Sequence, residues 1–249
     1  LKRDSRMILH RVIQHVRNQE WTAIGIDLII VVVGVYIGIQ AQAWNAEGED
    51  RAAERQHLSS LHDQLVDLIE NNDNRVVAGE DRVDALREVA ENFEEISKHS
   101  ELDVRHCRAI GASHIYVGQI VVPSTIEELI STGRLQLIRN SEMRLAIVSY
   151  SQAIEGYRQL NTDIQTDRAV LSHLYPAMIV LRLHDDDAIT CDFDAMIQSQ
   201  AFRNDLADNS FRHQAYVENV IVGQQNLRKE LHALLDVELG ITDHEGALK

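Results

Sequence analysis

The stretch WTAIGIDLIIVVVGVYIGIQAQAWN, residues 21–45, decides the fold class and the location of this chain. Residues 28–39 contain no polar side-chain atom except the Tyr36 hydroxyl, and Asp27 is the only charged residue in the whole stretch. A helix needs about 20 mostly apolar residues to cross the hydrocarbon layer of a membrane. The stretch meets that length and therefore predicts a transmembrane helix.

Trp21 and Trp44 flank the apolar run, at positions where indole rings favour the headgroup region. They favour a permanent membrane anchor over residues 21–44. The alternative is a cleaved export signal, because the sequence AQA at residues 41–43 fits the small-x-small pattern of a cleavage site. The polar segment before the run is long for such a signal, and Asp27 dilutes its apolar core. Both interpretations export the domain that follows.

The charges on the two sides of the run predict its orientation. Five basic residues precede it: Lys2, Arg3, Arg6, Arg11 and Arg17. Residues 44–63 carry only two basic residues and five acidic ones. Because basic flanks stay in the cytoplasm, residues 1–20 are predicted to be a cytoplasmic arm. The domain 45–240 is then predicted to be periplasmic in a bacterium, anchored in the inner membrane.

The charge of the chain limits its partners. Its formal net charge is −15, with 39 acidic against 24 basic residues. Since Lys and Arg neutralise phosphates in complexes with nucleic acids, we expect no nucleic-acid partner. The expected partners are the lipid bilayer and either a second copy of the chain or another envelope protein.

The exported part reads as all-α. It contains only two prolines and is rich in good helix formers. Apolar spacing predicts helices over residues 49–97, 124–133, 141–175, 194–207 and 210–239. Such a series predicts a periplasmic antiparallel helical bundle, followed by a flexible tail over 241–249.

Local features qualify this pattern. Polar residues 70–75 and Gly79 interrupt the apolar seam of the first segment, which is expected to be one long helix or two joined helices. Ser124 is expected to cap the second through its hydroxyl. Residues 114–122 fit either a short strand or the end of a helix, and residues 184–193 read as an acidic loop.

Two cysteines, Cys107 and Cys191, are a candidate disulfide. An even cysteine count in an oxidising compartment favours a bond. It would close a loop of about 85 residues and contribute roughly 4 kcal/mol in the chain-entropy account. Two separate buried thiols are the alternative.

Twelve histidines raise the question of a metal site. Glu54 and His57 form a Glu-x-x-His motif, but bundle di-metal sites use two such motifs, and no second one is present. A convergence near the cysteines would involve His106, His114, His173 and His184. Since the sequence also lacks a CxxC pair, we predict no metal and no cofactor.

Two segments resemble a family of bacterial single-pass membrane proteins of unknown function. Residues 6–45 are similar to its basic arm, Trp-Thr-Ala entry, Gly-containing Val/Ile span and Ile-Gln-x-x-x-Trp-Asn exit. Residues 125–152, TIEELISTGRLQLIRNSEMRLAIVSYSQ, are similar to its Leu-x-x-(Ser/Thr)-Gly-x-Leu-x-Leu-Ile turn and the helix that follows. The resemblance implies an uncleaved anchor and a start at Met7, and it offers no catalytic residues.

Five residues of the span are candidates for a membrane-association face: Asp27, Gly34, Gly38, Gln40 and Trp44. Gly34 and Gly38 have the GxxxG spacing that lets two spans pack closely, although glycine is also common in spans generally. Asp27 is costly inside a membrane, so it either faces a partner or reaches the nearby interface. Gln40 and Trp44 lie one turn apart at the outer boundary.

No motif of a hydrolase, metalloprotease or nucleotide-binding loop occurs in the sequence. We therefore expect a non-catalytic, membrane-anchored scaffold or partner-binding protein of the bacterial envelope. The alternative is a periplasmic ligand-sensing bundle that signals through a partner subunit.

Overall fold

The computed structural model describes residues 21–94, 102–116, 118–182 and 189–241. The arm 1–20, the first half of the acidic loop and nearly all of the tail lie outside the described residues, as does the side chain of Asp27. The chain divides into two compact units, Leu1–Ala53 and Glu54–Lys249. This boundary falls beyond the expected end of the span at residue 44, because residues 45–52 continue the helix as exposed positions.

The described residues are mostly helical, which confirms the all-α class. The helices are α1 (Trp21–Glu94), α2 (Val104–Gly111), α3 (Ser124–Ser131), α4 (Ser141–Gln165), α5 (Leu171–Leu174), α6 (Phe193–Gln198), α7 (Gln200–Ala215) and α8 (Gly223–Leu239). A 3-10 turn, Arg134–Leu137, follows α3, and a π-helical segment, Tyr216–Val222, joins α7 to α8. Two short strands, β1 (Ile179–Leu181) and β2 (Ile189–Cys191), pair antiparallel, with Ile179 opposite Cys191.

Helix α1 is continuous through residues 70–75 and Gly79, so this segment is one long helix and not two joined helices. The polar residue Asn72 is buried and donates from Nδ2 to Gln225 Oε1 at 3.1 Å and to the Ile221 carbonyl at 3.4 Å. A Cβ on Gly79 would lie 3.0 Å from Val217 Cγ2. Both positions therefore contact a neighbouring helical segment and do not end the helix.

Helix α4 ends at Gln165, ten residues before the expected end at residue 175. Asp167 has the left-handed φ of 61°, which few non-glycine residues adopt and which a helix cannot contain. Asn209 on α7 then holds the connection: Ala169 N donates to its Oδ1, and its Nδ2 donates to the Ala169 carbonyl. The early end thus depends on a contact made 40 residues later in the chain.

The helices after β2 also break elsewhere than expected. The break lies at Ser199, whose hydroxyl accepts from Phe202 N at 3.3 Å and caps α7. No break occurs between residues 207 and 210, and the helical path continues through the π segment into α8. The helix break therefore lies at the capping serine Ser199. The polar run DNS at residues 208–210, although typical of a loop, stays helical.

Helix α3 is capped from another helix. Its N-cap residue is Pro123, so the expected cap by the Ser124 hydroxyl was wrong. Gln64 Oε1 on α1 accepts from Thr125 N at 3.2 Å and from the Ser124 hydroxyl at 3.3 Å. The described residues of 114–122 form no strand pairing.

Three clusters of buried side chains stabilise the second unit. In the first cluster, residues 58–65 of α1 pack against α3, α4 and α8. In the second, residues 85–93 of α1 pack against α2, α5, β1, β2, α6 and α7. The third surrounds the π segment. Helix α1 contributes side chains to all three clusters, so it is the element against which the others pack.

Cys107 and Cys191 form a disulfide that joins α2 to β2 across 84 residues of chain. Replacing both with serine should lower the free energy of unfolding by about 4 kcal/mol, because the unfolded chain gains the freedom of an open loop. Chemical denaturation of the full chain measures this. A reductant should destabilise the wild type equally and leave the double variant unchanged; a wild type insensitive to reductant would contradict the prediction.

Candidate functional site

The apolar run of α1 is uncovered in the first unit. From residue 28 to residue 39 every large side chain is between 47% and 63% exposed. Among the described residues, α1 is the one helix long and apolar enough to cross a membrane. Nothing in the described part of this unit packs on the run.

The five candidate association residues divide between two sides of α1. Gly34 and Gly38 lie one turn apart, and a Cβ built on either meets no atom within 4 Å. By helical geometry Asp27 lies on their side, seven residues earlier. Gln40 and Trp44 each follow one of these glycines by six residues, about 240° around the helix. Gln40 Nε2 donates to the Tyr36 hydroxyl at 3.4 Å, and Trp44 is 72% exposed. The association role of these five residues stays a prediction, with the two glycines and Asp27 on one side of α1 and Gln40 and Trp44 on another.

The disulfide lies beside an acidic and basic network on the surface. His106 contacts Glu88 Oε2 at 2.7 Å and Asp103 Oδ1 at 2.8 Å. These hydrogen bonds to His106 lower the pKa of both carboxyls. Both ring nitrogens of His106 thus contact carboxylates. His184 lies outside the described residues. No metal-type grouping near the disulfide is found in the described ranges.

A histidine and carboxylate trio lies elsewhere, between α1 and α8. Buried Asp236 contacts His62 Nε2 at 3.1 Å through Oδ1 and His232 Nδ1 at 3.2 Å through Oδ2. The two imidazole centroids are 4.6 Å apart, and one ligand atom from each residue lies within 4.8 Å of the others. These donor types could hold a zinc ion with one open position. The distances from Asp236 to the two histidines also fit hydrogen bonds. Through these bonds Asp236 bridges α1 and α8.

Asp236→Asn should lower the free energy of unfolding by about 1–3 kcal/mol. The reason is that one oxygen of a buried carboxylate, which contacts two histidines, is replaced by an NH2 group. Thermal denaturation of the full chain in the presence of a chelator measures this. Asp63→Asn is the matched control, since its exposed carboxylate also contacts His62 and should contribute less than about 1 kcal/mol. If the chelator alone destabilises the wild type as much as Asp236→Asn does, the trio holds a metal and the hydrogen-bonded account is wrong.

A polar cavity of about 310 Å³ lies between α1, α8 and the segment before α3. It is lined by Leu68, Asn71, Asn72, Arg75, Gln119, Val121 and Arg228. Arg228 is only 2% exposed, and its Nη2 donates to Gln224 Oε1 at 3.0 Å. Its Nε has no hydrogen-bond partner among the described residues. The cavity therefore contains a buried cationic donor with unused capacity.

A second cavity of about 300 Å³ shares Arg75 with the first. Its polar lining consists of Asn74, Arg75, Arg82, His213 and Tyr216. Burial lowers the pKa of Arg82 and raises that of Tyr216 to about 12. Burial, with the charge of Arg82, lowers the pKa of His213 to about 4, against a weaker opposite effect of the Ser113 backbone. Near neutral pH His213 and Tyr216 are therefore neutral.

Acidification should destabilise the protein through His213. Its pKa is about 4 when folded and 6.5 when exposed, so the unfolded state binds the proton first as the pH falls. The free energy of unfolding should decrease by about 3 kcal/mol between pH 6.5 and pH 4 from this group. Denaturation at several pH values should show that His213→Leu loses this part of the slope. His173→Leu, at an exposed position, should keep it; equal slopes in His213→Leu and the wild type would contradict the assignment.

Sequence reasoning missed the residues of both cavities and of the trio. A signal was present, because polar residues occupy positions of the apolar seams. Asn72 continues the spacing of Leu65 and Ile69 on α1. On α8, Gln224 and Arg228 continue the spacing that ends in Leu231 and Leu235.

No family model, no curated protein and no solved structure matches the chain.

Proposed function

We propose that this chain is a non-catalytic, membrane-anchored scaffold or partner-binding protein of the bacterial envelope. In this proposal residues 1–20 are a cytoplasmic arm, residues 21–44 span the inner membrane, and residues 45–240 form a periplasmic helical bundle. The observation that carries it is the uncovered apolar run of α1 over residues 28–39.

The energetic argument for an anchor rests on that exposure. Removing one large apolar side chain from water is worth roughly 1.5–3 kcal/mol. The run presents ten such side chains besides its two glycines, so leaving it in water costs well over 10 kcal/mol by the same estimate. A lipid bilayer would cover all sides of the helix at once.

Two independent features support export of the second unit. Basic residues cluster before the span and acidic residues after it, as expected for a cytoplasmic N-terminus. The disulfide between Cys107 and Cys191 also fits an oxidising compartment, because cytoplasmic thiols are kept reduced.

The intact mass of the C-terminally tagged chain, extracted from membranes with mild detergent, tests the anchor. The proposal expects the span to be retained and the chain to resist alkaline extraction. A chain that begins at Trp44 would instead show cleavage after residues 41–43 and a free periplasmic domain, which would overturn the anchor.

The open face at Gly34 and Gly38 is the proposed contact between spans, since small residues allow close helix packing. Gly34→Ile combined with Gly38→Ile should reduce the detergent-stable oligomer or partner complex about tenfold or more. Native mass spectrometry measures this. Gly25→Ile is the matched control, because Gly25 lies on the opposite side of the same helix. An unchanged assembly in the double variant would contradict the contact.

A ligand-sensing role is the second candidate function, and the polar cavities around Arg75 favour it. In that role the ligand would change how the chain associates with a partner subunit, which would carry the output. Assembly measured by native mass spectrometry with and without ligand separates the candidates, because a simple scaffold should not respond.

A further inference from the structure

We infer that the two cavities sharing Arg75 form a binding region for a small oxyanion, either a carboxylate or a phosphate. The inference names the ligand class of the sensing role proposed above. It depends on that role for the meaning of the signal, but the binding itself can be measured alone.

The arginines of this region lack the ion pairs that several other arginines of the second unit form. Arg75, Arg82 and Arg228 line the cavities, and none of them forms an ion pair with a carboxylate of the described residues. Several arginines outside the cavities do form such pairs: Arg87 with Asp84, Arg105 with Asp81 and Glu88, Arg158 with Glu155, and Arg212 with Asp208. In a chain of net charge −15, three arginines around two cavities that no carboxylate lines would be stabilised by an anion between them.

Arg228 is the strongest indication of a ligand. A guanidinium that is 2% exposed has lost most of its hydration, which is costly without a counter-charge. Its neighbour Gln224 accepts one hydrogen bond, and Nε has no partner among the described residues. An oxyanion in the cavity that Arg228 lines could supply the missing counter-charge.

The other polar groups of the region suit an oxyanion and not a cation. No carboxylate lines either cavity. Asn71 and Gln119 offer amide donors to the first cavity. Tyr216 lines the second cavity and stays protonated near neutral pH, so it adds no negative charge there.

The arrangement of these groups is fixed by contacts outside the cavities. Gln225 accepts from Asn72 and donates to the Ile69 carbonyl and to Asp73 Oδ1 at 2.6 Å. These bonds hold α8 against α1 at the level of Arg75 and Arg228. The site is therefore built before a ligand arrives, which lowers the cost of binding.

Isothermal titration of the full chain in detergent, at fixed ionic strength, tests the site with inorganic phosphate and with succinate as separate probes. We expect saturable binding of at least one probe, and the stronger of the two identifies the source of the oxyanion. Arg228→Gln and Arg75→Gln should each weaken binding about tenfold or more, because a charged hydrogen bond is lost. Arg87→Gln, on the exposed side of α1, should leave it unchanged.

Three results would overturn the inference. The first is no saturable binding of either probe to the wild type at about 10 mM, the range of very weak affinity. The second is equal weakening by Arg87→Gln, which would indicate diffuse attraction to surface charge. The third is unchanged binding in a folded Arg75→Gln variant, which decides the matter even if Arg228→Gln fails to fold. Binding without any change of assembly would keep the site and remove the sensing role.

Discussion

The structure of the second unit depends on how the long helix α1 satisfies a polar side chain within its apolar seam. Asn72 occupies a position where the spacing of Leu65 and Ile69 calls for another apolar residue, and it is 5% exposed. An unpaired amide there would be strongly destabilising, but Gln225 and the Ile221 carbonyl accept from it. Because both partners belong to the helical path through the π segment and α8, these bonds fix the register between α1 and that path.

That register places the arginines. Arg75 and Arg82 follow Asn72 along α1, while Arg228 follows Gln225 on α8. Once the amide pair is made, the three cations line two cavities that share Arg75 and that no carboxylate lines. The π segment adds Tyr216 and the approach of Val217 to Gly79, and π-helical insertions recur at functional positions in helices. The proposed anchor and the proposed oxyanion region thus use different parts of the same helix, one apolar on all sides and one mixed.

Local sequence patterns predicted the helices well and their ends less well. Helix α4 begins at residue 141 as predicted, because the Asn140 side chain accepts from two backbone amides that the helix start exposes. The end of α4 at Gln165 required Asn209, the start of α3 required Gln64, and the continuity of α1 required Gln225. Each of these partners is distant in sequence, and a pattern within a window of residues contains no information about them.

The sequence by itself determined the all-α class, the presence of a run able to span a membrane, and the candidate cysteine pair. These follow from composition and from spacing along one helix, which depend only on neighbouring residues. Tertiary structure alone decided which polar residues meet: His62 with His232 and Asp236, and Arg75 with Arg228 around a shared cavity. Their meeting depends on the packing of α1 against α8, whose residues lie about 150 or more positions apart. Packing over that distance is set by the whole core and not by any local pattern.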